Sequence, residues 1–177
     1  MANPFILETT MSHQIAGGTG LTARNEAPEL IRALDREDDR AWVPLARGAW
    51  FYPLAFDVRH GAWHSVFRVE PQAQLPTHYH LGRVVGCTLR GRWHYRERDW
   101  EHKPGSYLLE VPGDSHTFEV IGDETVELFT VNEGGFLLLD DKGDVIGITD
   151  VLLRLEQARQ HYEKVGLGQA TIDSLIR

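Results

Sequence analysis

Between Trp42 and Thr149 the apolar residues come in short runs or in alternation, interrupted every few positions by Gly, Pro or Asp. Alternation of period two is the spacing of side chains on one face of a strand, so this stretch reads as the strands of a sandwich or barrel. Strands are expected near 49–57, 64–69, 84–90, 92–95, 106–110, 117–120, 126–131, 136–139 and 145–148. The run Asp141, Lys142, Gly143 suits a tight hairpin between the last two, and Gly91, Gly105 and Gly122 stand where the chain must reverse.

The period changes after Asp150. Val151, Leu155, Ala158, Tyr162 and Val165 alternate spacings of four and three, which lines them along one side of a helix; Asp150 suits the N-cap and Gly166 the stop. Near the other end, Pro28 suits the first position of a short helix with Leu30, Ile31 and Leu34 on one face, broken by the charged run from Asp35 to Arg40. The first two dozen residues, with Gly17, Gly18 and Gly20, show no period and read as an arm whose role is open. The expected organisation is an arm with a short helix over 1–41, a barrel over 42–149, and a C-terminal helix and tail over 150–177.

Composition narrows the function classes. With 177 residues a single core is expected to dominate. The net charge of −8 repels phosphate backbones and anionic lipid, so neither nucleic acid nor membrane is expected as a partner. Cys87 is the sole cysteine, which excludes an intramolecular disulfide and a multi-cysteine zinc site. Residues 1–11 lack the basic start and apolar stretch of a secretory signal, and a cytoplasmic location is expected.

The chemistry concentrates in the histidines. Leu75, Pro76, Thr77, His78, Tyr79, His80 sets two imidazoles two residues apart; on extended chain both point the same way and can reach one ion. Further on, the turn Pro112, Gly113, Asp114, Ser115 delivers His116 at the edge of a strand, a third candidate ligand. Neutral imidazole suits iron, zinc, copper or nickel, and three protein ligands leave positions open, as catalytic sites do. Glu110 ends the apolar run Tyr107, Leu108, Leu109; alternation alone leaves it facing either the interior or solvent. Inside, its pKa would rise and it would serve as a base. Tyr95 is a hydrogen-bond donor on the strand after Gly91. His94, His60, His64 and His102 have no partner at ligand spacing and are expected on the surface or in loops. Cys87 is expected to fill a small core position.

These residues resemble the cupin superfamily, whose double-stranded β-helix barrel bears two linked motifs. The first, G(X)5HXH(X)3-4E(X)6G, is met at His78, His80 and Gly91, but Gln72 stands at the leading Gly and Val84 or Val85 at the Glu ligand. The second, G(X)5PXG(X)2H(X)3N, is met at Gly105, Gly113 and His116, with Pro112 displaced by one and Val120 in place of Asn. Glu97, in the charged run after Tyr95, is an alternative source of the fourth ligand, although a solvated turn suits it better. Three neutral imidazoles cancel none of the charge of a divalent ion, so the site should favour an anionic chelating substrate.

Beyond the two motifs, Thr88 to Trp100 with Gly91, Trp93, Tyr95, Glu97, Asp99 and Trp100, together with Glu110, Pro112 and His116, resembles the 2,4'-dihydroxyacetophenone dioxygenase family. That resemblance implies Fe(II) on His78, His80 and His116, with Glu110 and Tyr95 beside it as catalytic residues. It implies an enzyme that cleaves the C–C bond of an aromatic α-hydroxyketone with O2, yielding 4-hydroxybenzoate and formate from 2,4'-dihydroxyacetophenone. Cupins commonly associate through barrel edges, so a homo-oligomer, dimer or tetramer, is expected. The alternatives are a dioxygenase acting on a β-diketone or flavonol-like enol, a metal-dependent isomerase, and a non-catalytic metal or ligand sensor.

Overall fold

The computed structural model describes residues 29–177. The first helical element is a single 3-10 turn, Asp39–Ala41, followed by strands β1 (Val43–Ala46), β2 (Ala49–Asp57), β3 (Ala62–Val69), β4 (Thr77–His80), β5 (Val84–Arg90) and β6 (Arg92–Tyr95). The second half contains β7 (Tyr107–Glu110), β8 (Ser115–His116), β9 (Phe118–Ile121), β10 (Val126–Glu133), β11 (Phe136–Leu139) and β12 (Val145–Thr149), then helices α1 (Val151–Lys164) and α2 (Gln169–Asp173).

Every strand pair among the described residues is antiparallel. One sheet runs β1-β2-β3-β10-β5-β7, a second β12-β11-β4-β8, and β6 with β9 makes a two-stranded third. The strands come mostly from where the alternation is legible. In β10, Val126, Leu128, Thr130 and Asn132 are buried, and the partly exposed members fall mainly between them. The strands β1, β4 and β8 are short, and β4 and β8 consist largely of site residues, so hydrophobic period alone does not mark them.

The helix expected from Pro28 over Leu30, Ile31 and Leu34 is absent from the described residues; Pro28 itself, like the expected arm over 1–24, lies outside them. The backbone groups of that segment are engaged elsewhere. The Ala33 carbonyl accepts the Tyr52 hydroxyl at 3.1 Å, and the Asp35 carboxylate accepts the amides of Glu37 and Asp38. Arg36 donates to the fully buried Glu127, which Arg68 also reaches. Tertiary partners therefore outbid a marginal local helix.

The helix expected after Asp150 is α1. The Asp150 side chain accepts the Leu153 amide at 2.8 Å, and Val151, Leu155, Ala158 and Tyr162 are buried. This face packs with Trp42, Phe51, Phe56 and Trp63 into one core cluster, closing one side of the larger sheet. α2 lies within the stretch expected as a tail; Ile172 and the following Leu175 are buried in the same cluster. A second cluster, around Trp93, Phe118, Val126 and Leu128, lies inside the barrel and reaches Tyr95. None of the described helices is long and apolar enough to cross a membrane.

Candidate metal centre

Thr77, His78, Tyr79 and His80 form β4, so the extended geometry on which the two-residue spacing depends is present. Two features hold the strand. Gly82 packs so closely on Glu133 that a Cβ would lie 1.9 Å from its carbonyl oxygen, and Leu81 donates its amide to the Gly135 carbonyl. Gly135 itself has φ +90° and faces the Thr149 carbonyl oxygen, leaving no room for a side chain. On the other side, β4 pairs with β8 in a register that sets His78 opposite His116. The His80 amide donates to the Asp114 carbonyl and the Gly113 amide to the His80 carbonyl, both at 2.9 Å. The Pro112–Gly113–Asp114 turn is thereby tied to the HxH strand, and His116 is delivered as a consequence of that bonding.

The ligand atoms of His78, His80 and His116 all lie within 4.8 Å of one another. Nε2 of His80 and Nε2 of His116 are 3.0 Å apart. Burial takes the pKa of His78 down to about 3 and those of His80 and His116 down to about 4. All three rings are therefore neutral at pH 7, with lone pairs available to a cation and no proton to displace. The donor set fits one divalent ion of the kind imidazole prefers.

Glu110 points inward. It is 8% exposed, with its oxygens 3.5 Å from His80 Nε2 and 3.3 Å from His116 Nε2. Its strand partner is Val84, one of the two positions where the cupin motif would put a Glu. A carboxylate thus stands opposite the β5 position where the motif's Glu is missing. Burial pushes the Glu110 pKa up to about 7, a hydrogen bond from Tyr95 opposes this, and the Asp114 charge adds to it. The Tyr95 hydroxyl donates to Glu110 Oε1, while its ring stacks on His116 at 3.5 Å between centroids. Burial, reinforced by Glu110, holds the Tyr95 phenol well above 10, so it stays a donor.

The remaining candidates fall outside the cluster. Glu97 is exposed and accepts the amide and hydroxyl of Thr117, which fixes the chain beside His116 without reaching the ring nitrogens. His60 is exposed against Asp57, and His94 is half-buried. His102, expected on the surface or in a loop, lies in the connection between β6 and β7 and stacks flat on Trp93 at 4.3 Å. Cys87 is half-buried rather than a core residue. Phe136, whose ring lies 5.2 Å from that of His78, was not among the expected site residues; as one apolar residue in a strand it looks like any core aromatic.

His78 and His80, with Glu110 and Tyr95, open onto a cavity of about 290 Å³ whose walls include Phe51, Trp63, Phe67, Leu108 and Phe136. This is near the lower end of small-molecule pockets, about 300–1,000 Å³. The chain therefore contains a buried, neutral three-imidazole cluster facing a largely apolar chamber.

The ChrR cupin-like domain family matches residues 32–136, more than half of the chain, and the protein belongs to that family. Among solved structures it is similar to an RmlC-like cupin protein from Ralstonia eutropha JMP134, with TM-score 0.69 and 24% identity over 76% of this chain and 88% of that one. It is similar also to an acetylacetone dioxygenase from Acinetobacter johnsonii, with TM-score 0.63 and 16% identity over 74% of this chain and 93% of that one. These likenesses establish the cupin fold. Comparison with curated proteins finds no match.

Proposed function

We propose that this protein is an Fe(II)-dependent dioxygenase that cleaves an aryl α-hydroxyketone between its carbonyl and hydroxymethyl carbons. In the reading put forward, 2,4'-dihydroxyacetophenone and O2 give 4-hydroxybenzoate and formate. The observation that carries it is the meeting of three neutral imidazoles with a buried, protonatable carboxylate at a mostly apolar chamber. Held by His78, His80 and His116, iron would supply open positions for a chelating substrate and for oxygen. Glu110, with a pKa of about 7, is matched to accept the substrate's hydroxyl proton near neutral pH. Tyr95 keeps its proton and orients Glu110 through Oε1. Trp63 and Phe136 offer apolar surface to an aryl ring and keep water from the reacting end.

The test is oxygen uptake by anaerobically purified, iron-loaded protein, with 4-hydroxybenzoate and formate measured as products. His116→Ala should lose bound metal and oxygen uptake together. Undiminished turnover in that variant would refute the assignment. Cleavage of β-diketones with no action on hydroxyketones would keep the site and change the substrate. Membership of the ChrR cupin-like family supports a second reading, a non-catalytic metal or ligand sensor. Protein that retains zinc and consumes no oxygen with either substrate class would favour it.

A further inference from the structure

The cavity has a second polar feature, contributed by the C-terminal helix, which lies beyond the residues that match the family. Arg154 and Gln157, one turn apart on α1, line the same chamber as His78, His80 and Glu110. α1 packs against β1, β2 and β3, whereas the histidines and Glu110 come from β4, β8 and β7, so the two polar groups are presented by different walls. The rest of the lining is mostly apolar, with Phe51, Trp63, Phe67 and Phe136, alongside the uncharged polar Ser65, Thr130, Asn132 and Thr149.

Arg154 is a costly residue to keep there. It is half-buried, and no carboxylate among the described residues pairs with it; burial alone takes its pKa down to about 10. One N–H donates to Gln157 Oε1 at 2.9 Å, and the guanidinium carbon stands 5.5 Å from the Phe51 ring centroid. The rest of the guanidinium fork, and the Gln157 amide N–H groups, have no protein acceptor among the described residues and are not sealed off by protein. A half-buried cation with no counter-ion keeps unused donors that face the chamber, and an anionic ligand there would supply the missing charge. The planar fork matches an anionic oxygen group, which it can bind through parallel hydrogen bonds.

We infer that Arg154 and Gln157 form an anion-recognition subsite, and that the substrate bears an anionic oxygen, phenolate or carboxylate, on the part of its ring remote from the chelating oxygens. Resting on the hydroxyketone reading above, this makes Arg154 a specificity-determining residue. It would select ring-substituted hydroxyketones over the unsubstituted compound by charge, since the aromatic walls hold both alike.

Three probes separate the contributions: 2-hydroxyacetophenone, 2,4'-dihydroxyacetophenone, and 4-(2-hydroxyacetyl)benzoate. Binding is measured by calorimetry on zinc-loaded protein, and turnover separately by oxygen uptake on iron-loaded protein. Wild type should bind one or both ring-anionic probes at least tenfold more tightly than the unsubstituted one, the phenol gaining affinity as pH rises through its ionisation. Arg154→Gln should abolish that preference, leave 2-hydroxyacetophenone within twofold, and raise KM for the anionic probe with kcat held. Arg154→Lys should keep part of the preference. Which anionic probe responds identifies phenolate or carboxylate as the recognised group.

The inference is overturned if wild type shows no preference or if the preference survives in Arg154→Gln. It is also overturned if Arg154→Gln weakens all three probes equally with a lowered melting temperature, the signature of a purely structural residue. Oxygen uptake that is indifferent to Arg154 would leave the dioxygenase reading standing without the subsite. Arg154-dependent binding without oxygen uptake would leave the subsite and remove the dioxygenase.

Discussion

Glu110→Gln in the metal-free protein isolates the energetic cost of the site. The substitution keeps shape, and the amide oxygen can still accept the Tyr95 hydroxyl. In the unfolded chain Glu110 titrates near 4.5, and in the folded protein near 7. A raised carboxylate pKa means the native state holds the proton more tightly, so Glu110 is neutral in both states well below pH 4.5 and costs nothing there. Stability falls as pH rises through the interval, and above pH 7 the full penalty applies. The gap from 4.5 to about 7, at about 1.36 kcal/mol per pH unit, corresponds to about 3 kcal/mol. The buried histidines contribute their own pH dependence, but they are present in both proteins and largely cancel in the difference.

The assay is urea unfolding of wild type and Glu110→Gln, each stripped of metal, at pH 4 and pH 8. The midpoints should coincide at pH 4. At pH 8 the variant should be more stable by about 3 kcal/mol, a midpoint shift of about 1–2 M for an m-value of about 2 kcal/mol/M. Added zinc should shrink the pH 8 difference, because a divalent ion beside the carboxylate favours its charged form. Equal midpoints at pH 8, or a variant weaker at both pH values, would refute the claim that Glu110 is held against its ionised state.

Other expectations follow from the same structure. Because the histidine pKa values are lowered from 6.5 to about 3 or 4, the unfolded chain binds protons that the folded one refuses, so the metal-free protein should lose stability as pH falls from 6.5 toward 4. Melting temperature against pH checks this, and a flat profile across that range would contradict it. Asp150→Ala removes the cap on the Leu153 amide and should cost about 1 kcal/mol in chemical denaturation with the site's metal affinity unchanged. Gly135→Ala puts a methyl 2.1 Å from the Thr149 carbonyl oxygen at a positive φ; a soluble variant with wild-type metal binding would show that β4 is held by something else.

Part of the site was legible from residue order because a strand's period of two leaves little freedom: once β4 is extended, His78 and His80 must share a face. The amphipathic helix after Asp150 was equally legible, since 3.6-residue periodicity and a capping side chain are local properties. The direction of Glu110 was not. A residue at the end of an apolar strand can face either side, and the choice depended on pairing with Val84 and on the Tyr95 hydroxyl. The helix expected at Pro28 gave way for the related reason that Tyr52, Tyr162 and Glu127, all distant in sequence, offered Ala33, Arg32 and Arg36 better partners.

The order of residues alone determined what local periodicity and motif spacing can encode: a strand-rich barrel, a final amphipathic helix, and three histidines able to share an ion. The folded chain decided what depends on contacts between remote segments. It set Glu110 against two of the rings, laid Tyr95 on His116, stacked His102 on Trp93, and brought Arg154 to the wall of a chamber formed more than seventy residues earlier at β4. Such placements follow from sheet register and helix docking, which are collective properties of the packed core.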